Sequence, residues 1–226
     1  MKKKVLVTVT KFDQYCKEAI KLLEENDFGI IAPCKEFPGL SQEELIKVIP
    51  DIDAVIAGLD DWNEEVFKVA KKLKIIARFG IGVDNIDLKK AREYGIHVTN
   101  ARASFNAVAE LALGLIMACL RKIPLLDHGT RNGKWERYVG DELNGKKIGF
   151  IGFGKIPQTL AKRLSGFDVE MYAYDKFPNK EIADKLGVKF VSMEELLAIC
   201  DIVSLHLPAT PETKGMINKD VFNKMK

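Results

Sequence analysis

The run KKIGFIGFGKIPQTLAKRLSGF, Lys146 to Phe167, restricts what this chain can become more than any other stretch. Isoleucine, phenylalanine and glycine build a strand that closes on Gly152 and Gly154, and an amphipathic helix follows at once. A helix that begins on a glycine turn leaves its first backbone N–H groups without intrahelical partners, with the positive end of the helix dipole behind them. That is an anion site, and it predicts a strand–turn–helix unit leading to a parallel neighbouring strand.

The spacing of Gly152 and Gly154 matches the start of a dinucleotide fingerprint, in which the first glycine makes the tight turn and the second lets the backbone approach a pyrophosphate. The third glycine is replaced by Pro157. Proline is tolerated in a first helical turn, where its missing N–H has no partner to lose and its fixed φ suits the helix. The loop is therefore expected to survive. The next apolar run, VEMYAYD, ends on Asp175, 23 residues past the first glycine. An acid near that separation can accept the ribose hydroxyls of NAD and repel the 2′-phosphate of NADP. Lys176 weighs the other way, and a simple cap on the YDKFPN turn is the alternative role for Asp175.

The same rhythm fills the rest of the chain. VLVTVT, FGIIAP, AVIAGL, KIIARFG and IHVTN read as strands in the first half, and VKFVS and DIVSLHLP follow VEMYAYD in the second. Helical patterns fill the gaps, and SQEELIKVI carries Ser41 and Glu44 as a capping box. Alternating strands and helices predict parallel sheets covered by helices. AVAELALGLIMACL, Ala107 to Leu120, is too short to span a bilayer and contains Glu110, so it is expected to be a buried helix. The glycine-punctuated stretch after it reads as a connector, which places the junction of two lobes near Asn100 to Gly145.

Composition excludes several classes. A net charge of +3, with the lysines dispersed, does not suggest a nucleic-acid surface. The cysteines Cys16, Cys34, Cys119 and Cys200 form no metal-binding pattern and read as buried reduced thiols of a cytoplasmic protein.

Four stretches together carry a family resemblance: ARFGIGVDNIDLKKAREYGIHVTN, NAVAELALGL, NGKWERYVGDELNGKKIGFIGFG and DIVSLHLPATPETKGMIN. The chain resembles the D-isomer-specific 2-hydroxyacid dehydrogenases, and within them phosphoglycerate dehydrogenase-type members. The resemblance implies two α/β lobes, a flavodoxin-like substrate domain over residues 1–100 and an incomplete Rossmann NAD-binding domain with a parallel sheet over residues 101–226. It implies that the backbone amides of Gly80, Ile81 and Gly82 hold a substrate carboxylate, as small residues after a strand can. It also implies that Lys155 and Ile156 face the pyrophosphate and that Leu207 and Pro208 line the cofactor. The implied ligands are NAD and a small 2-hydroxy or 2-oxo acid, with neither nucleic acid nor membrane as partner. The implied assembly is a homodimer or larger.

Two departures are local: Pro157, and TNARASFNAVAE, where the family often has a Pro-Gly turn. A third concerns chemistry. The family's substrate-binding arginine, its acid/base histidine and the carboxylate that orients it would follow MINKDVFNKMK, where this sequence stops. His97, His128 and His206 do not match the acid/base position. The expectation is a chain that lacks its catalytic segment and is inactive alone. A non-catalytic dinucleotide sensor of the corepressor kind, and a fragment serving only as an assembly partner, are the competing readings.

Overall fold

The computed structural model describes residues 2–32, 39–101 and 105–226. The chain divides into two compact units, Met1–Ala103 and Ser104–Lys226.

The first unit contains β1 (Lys3–Val7), α1 (Phe12–Tyr15), α2 (Lys17–Glu25), β2 (Phe28–Ile31), α3 (Gln42–Val48), β3 (Ala54–Ala57), α4 (Glu64–Val69), β4 (Ile75–Arg78), α5 (Leu88–Glu93) and β5 (His97–Asn100). The strands form one parallel sheet in the order β2-β1-β3-β4-β5, the flavodoxin-like arrangement. Its core is built on Leu6, Leu45, Trp62, Phe67 and Ile76, all fully buried. Each buried leucine, isoleucine or phenylalanine contributes about 1.5–3 kcal/mol. The Ser41–Glu44 capping box forms at the start of α3, with the Ser41 N–H donating to Glu44 Oε2 at 2.8 Å.

The second unit contains α6 (Phe105–Leu120), α7 (Ile123–Arg131), β6 (Lys147–Ile151), α8 (Lys155–Leu164), β7 (Glu170–Tyr174), α9 (Lys180–Lys185), β8 (Val188–Phe190), α10 (Met193–Ile199), β9 (Ile202–Leu205) and α11 (Lys219–Phe222). Its parallel sheet runs β8-β7-β6-β9, the 3-2-1-4 order of a Rossmann sheet. Gly149 lets α10 press onto the sheet: a Cβ there would stand 2.6 Å from Leu196 Cδ2.

Three expectations change. The helix at Ala107–Leu120 is not buried all round. Ala109 is its one fully buried residue, while Leu111 and Leu115 are 64% and 57% exposed. One face, with Leu113, Ile116 and Met117, packs on the unit's core, and the opposite apolar face lies open. The supposed connector begins as a helix, because α7 runs to Arg131 and an Arg131–Asp127 ion pair at 2.9 Å spans one of its turns. His128 accordingly sits on a helix. Cys119 is exposed and Cys16 half-buried, so among the described cysteines only Cys200 fits the buried-thiol reading, its thiol pushed up to about 11 by burial. Cys34 and Arg102 to Ser104 fall outside the described residues. No described helix is long and apolar enough to cross a membrane, and no metal-binding cluster occurs among the described residues.

Candidate dinucleotide and carboxylate sites

In the second unit, Gly152 leaves the central strand β6 with φ +86°. Its N–H donates to the Tyr174 carbonyl at 2.8 Å. A Cβ at this point would stand 2.6 Å from the His206 carbonyl oxygen and 2.8 Å from Leu207 Cδ2. Both the dihedral and the close approach demand glycine. Gly154 differs: its backbone is extended, it caps α8, and a Cβ there would meet nothing within 4 Å. The space in front of the helix end is open to a ligand.

Lys155 and Ile156 open α8, and no side chain caps their end of the helix. Pro157 sits in the first turn with its ring buried. The first intrahelical bond of α8 runs from the Gln158 N–H to the Gly154 carbonyl at 3.1 Å, so proline at 157 removes none. The Phe153 carbonyl, toward which an N–H at 157 would point, accepts from Gln158 Nε2 at 2.8 Å. A side chain replaces the donor that proline lacks.

Asp175 directly follows β7, with both carboxylate oxygens engaged. Oδ2 accepts from the Phe153 N–H at 2.7 Å and Oδ1 from the Phe177 N–H at 2.8 Å. It therefore caps its own turn and also ties that turn to the glycine loop. A carboxylate offers about four lone-pair sites, which leaves acceptor capacity for ribose hydroxyls. Leu207 and Pro208 follow β9 and line a cleft of about 690 Å³ with Leu205, Thr210, Pro211 and Met216. All these residues stand at the carboxyl ends of β6, β7 and β9, where the strand order reverses and open parallel sheets bind ligands.

His206 Nε2 lies 2.8 Å from Ser204 Oγ, and burial pushes the imidazole below its ordinary value. His97 is exposed on the edge strand β5.

In the first unit, Gly80, Ile81 and Gly82 follow β4. The Gly80 N–H is already used, donating to the Arg78 carbonyl at 2.9 Å. The Gly80 carbonyl accepts from the Ala101 N–H at 3.1 Å, and the Ile81 carbonyl from Asn100 Nδ2 at 2.7 Å. With those carbonyls pinned to the end of β5, the Ile81 and Gly82 N–H groups are the turn's free donors among the described residues. Gly80 shapes the turn instead, at φ +154°.

Sequence reading missed a polar cluster beside this turn. Asp60, in the β3–α4 loop, is buried and accepts from the Thr8 hydroxyl and from the Leu40 N–H at 2.6 Å. Thr8 Oγ1 accepts from the Gly58 N–H at 2.8 Å, and Asn85 Nδ2 donates to the Asp60 carbonyl at 2.7 Å. Burial raises the Asp60 carboxyl above its usual value against the pull of these hydrogen bonds. Two adjacent aspartates directly after an apolar strand, in AGLDDWN, were the available signal.

Residues 113–226 match the domain family described as D-isomer specific 2-hydroxyacid dehydrogenase, NAD binding domain. The chain is 42% identical over 214 residues to D-3-phosphoglycerate dehydrogenase of Archaeoglobus fulgidus, covering 93% of this chain and 40% of that protein. It is 44% identical over 191 residues to hydroxypyruvate reductase of Thermotoga maritima, covering 83% of this chain and 61% of the relative. Among solved structures it is similar to NAD+-bound 3-phosphoglycerate dehydrogenase of Entamoeba histolytica, with a TM-score of 0.81 and 30% identity, covering 100% of this chain and 69% of that one. The chain thus spans less than two thirds of the length of these curated relatives.

Proposed function

Because the chain belongs to the D-isomer-specific 2-hydroxyacid dehydrogenases, we propose that it carries the cofactor- and carboxylate-binding parts of an NAD-dependent oxidoreductase. NAD, when bound, supplies the hydride acceptor or donor for C2 of a 2-hydroxy or 2-oxo acid. In this reading the second unit is the NAD-binding domain and the first the substrate domain.

The observation that carries the cofactor reading is the joint geometry of Gly152, Gly154 and Asp175. A glycine-only turn, an uncapped helix end facing open space and an acid at the end of the next strand fit a pyrophosphate and a ribose. The amides of Lys155 and Ile156 would face the pyrophosphate, and Leu207 and Pro208 would flank the cofactor. In the first unit the free Ile81 and Gly82 N–H groups would hold the acid's carboxylate, with the Arg78 guanidinium adding charge. These residues bind and orient; the histidine and carboxylate that the family's proton transfer calls for are not among them.

The names of the two curated relatives point to two substrates, one bearing a phosphate at C3 and one bearing a hydroxyl. Self-association is part of the proposal, supported by the open apolar face of α6 and by Trp135 and Val139, which are 92% and 96% exposed. We place the protein in the cytoplasm.

The reading is tested by calorimetry with NAD+, followed by a 2-oxo acid added to the NAD+-saturated protein. Both ligands are then oxidised and cannot react. Saturable NAD+ binding that strengthens binding of the oxo acid is expected. Absence of NAD+ binding would overturn the reading.

A further inference from the structure

We propose that the protein selects a small 2-oxo or 2-hydroxy acid with a single negative charge and an uncharged tail, and that it discriminates against acids phosphorylated at C3. The inference rests on the carboxylate site proposed above and specifies its substrate class.

A cleft of about 300 Å³ opens at the carboxyl ends of β1, β3 and β4, beside the Gly80–Gly82 turn. Thr8, Val9, Gly58, Leu59, Arg78 and Phe79 line it. Arg78 is the one ionisable side chain among its described lining residues. Its Nη1 donates to the Phe79 carbonyl at 2.5 Å, while Nε is buried without a partner. One guanidinium can balance one carboxylate.

Among the described residues, the loops after β1, β3 and β4 carry mostly negative charge, with Lys11 against Asp60, Asp61, Asp84 and Asp87. Asp60 lies directly behind the lining residues Thr8 and Gly58. Its carboxylate accepts from the Thr8 hydroxyl, and a Cβ on Gly58 would lie 3.6 Å from Asp60 Oδ2. Burial leaves that charge poorly screened. A phosphate ester would add about −1.5 to −2 charges at neutral pH with no second lining cation among the described residues to meet them. The exposed side chains Leu59 and Phe79 instead offer apolar surface, and Phe79 is braced edge-on against Phe12 at 6.0 Å. A short tail bearing hydrogen or a hydroxyl suits these walls.

The test compares 3-hydroxy-2-oxopropanoate with its 3-phosphate ester, each titrated into the NAD+-saturated protein. The unphosphorylated acid is expected to bind at least tenfold more tightly. Leu59→Lys, at an exposed position on the cleft, is expected to tighten the phosphate ester at least fivefold relative to the unphosphorylated acid. Asp60→Asn should shift the ratio in the same direction. Equal or tighter binding of the phosphate ester by the unaltered protein overturns the proposal and leaves the carboxylate site standing. Binding of neither acid to NAD+-saturated protein overturns the carboxylate site and this proposal with it. A ratio that moves in neither variant also overturns it, because the discrimination then lies outside this cleft.

Discussion

Asp175 Oδ2 accepts a hydrogen bond from the Phe153 N–H at 2.7 Å, which joins the acid at the end of β7 to the middle of the glycine loop. The group proposed to read the ribose is thus also a strut of the turn proposed to hold the pyrophosphate. Asp175→Ala should therefore do two things. It leaves the buried Phe153 amide unpaired, at a cost of about 1–3 kcal/mol in chemical denaturation. It should also raise NADP(H) affinity relative to NAD(H) in calorimetry. A stability loss with an unchanged cofactor ratio would reduce Asp175 to its structural role.

The two loop glycines should fail differently. Gly152→Ala forces a side chain into a left-handed conformation, costing about 1–3 kcal/mol, and also drives Cβ into the His206 carbonyl and Leu207. Gly154→Ala meets no protein atom. Thermal melts should show a large loss for the first and almost none for the second, while NAD+ affinity falls at least tenfold in both. Equal melting losses would contradict this account of the turn.

Pro157 is compatible with the loop because Gln158 completes it. Gln158→Ala strips the Phe153 carbonyl of its side-chain donor and should cost about 1 kcal/mol of stability. Pro157→Gly should preserve the fold and change NAD+ affinity by no more than about 1 kcal/mol, the scale of one hydrogen bond. A tenfold or greater loss of affinity would mean that the ring itself sets the loop geometry.

His206 should make the protein acid-sensitive. Burial holds its imidazole below the ordinary 6.5, so between the folded value and 6.5 the unfolded chain binds more protons. This contribution to stability is fully present above pH 6.5 and is lost as pH falls below it. His206→Gln should narrow the difference in melting temperature between about pH 7.5 and about pH 5.5, a span that brackets the histidine range. An unchanged difference would mean that other groups carry the acid sensitivity.

Much of this architecture was legible before any coordinates. Every described strand showed as a short run rich in β-branched or aromatic residues, and the glycines with Asp175 marked the loop, because those signals are local. What escaped was set by distant contacts. The outer face of α6 has the same residue types as its inner face, so apolarity alone overstated its burial. The glycine and asparagine of DHGTRNG read as a break, although an Arg131–Asp127 pair carries α7 through its first half. The Thr8–Asp60 bond joins residues 52 apart, and no spacing rule reaches that far. The use of the Gly80 N–H within its own turn depends on backbone torsions that the letters RFGIG do not specify.

The central claim is that the turn between β6 and α8 is an NAD site. Hydrogen–deuterium exchange with and without NAD+ addresses it residue by residue. Protection is predicted at Gly152 to Ile156 and at the Asp175 to Phe177 turn, with Gly154→Ala abolishing it at both. Protection confined to other segments, or an exchange pattern that NAD+ leaves unchanged, would contradict the claim.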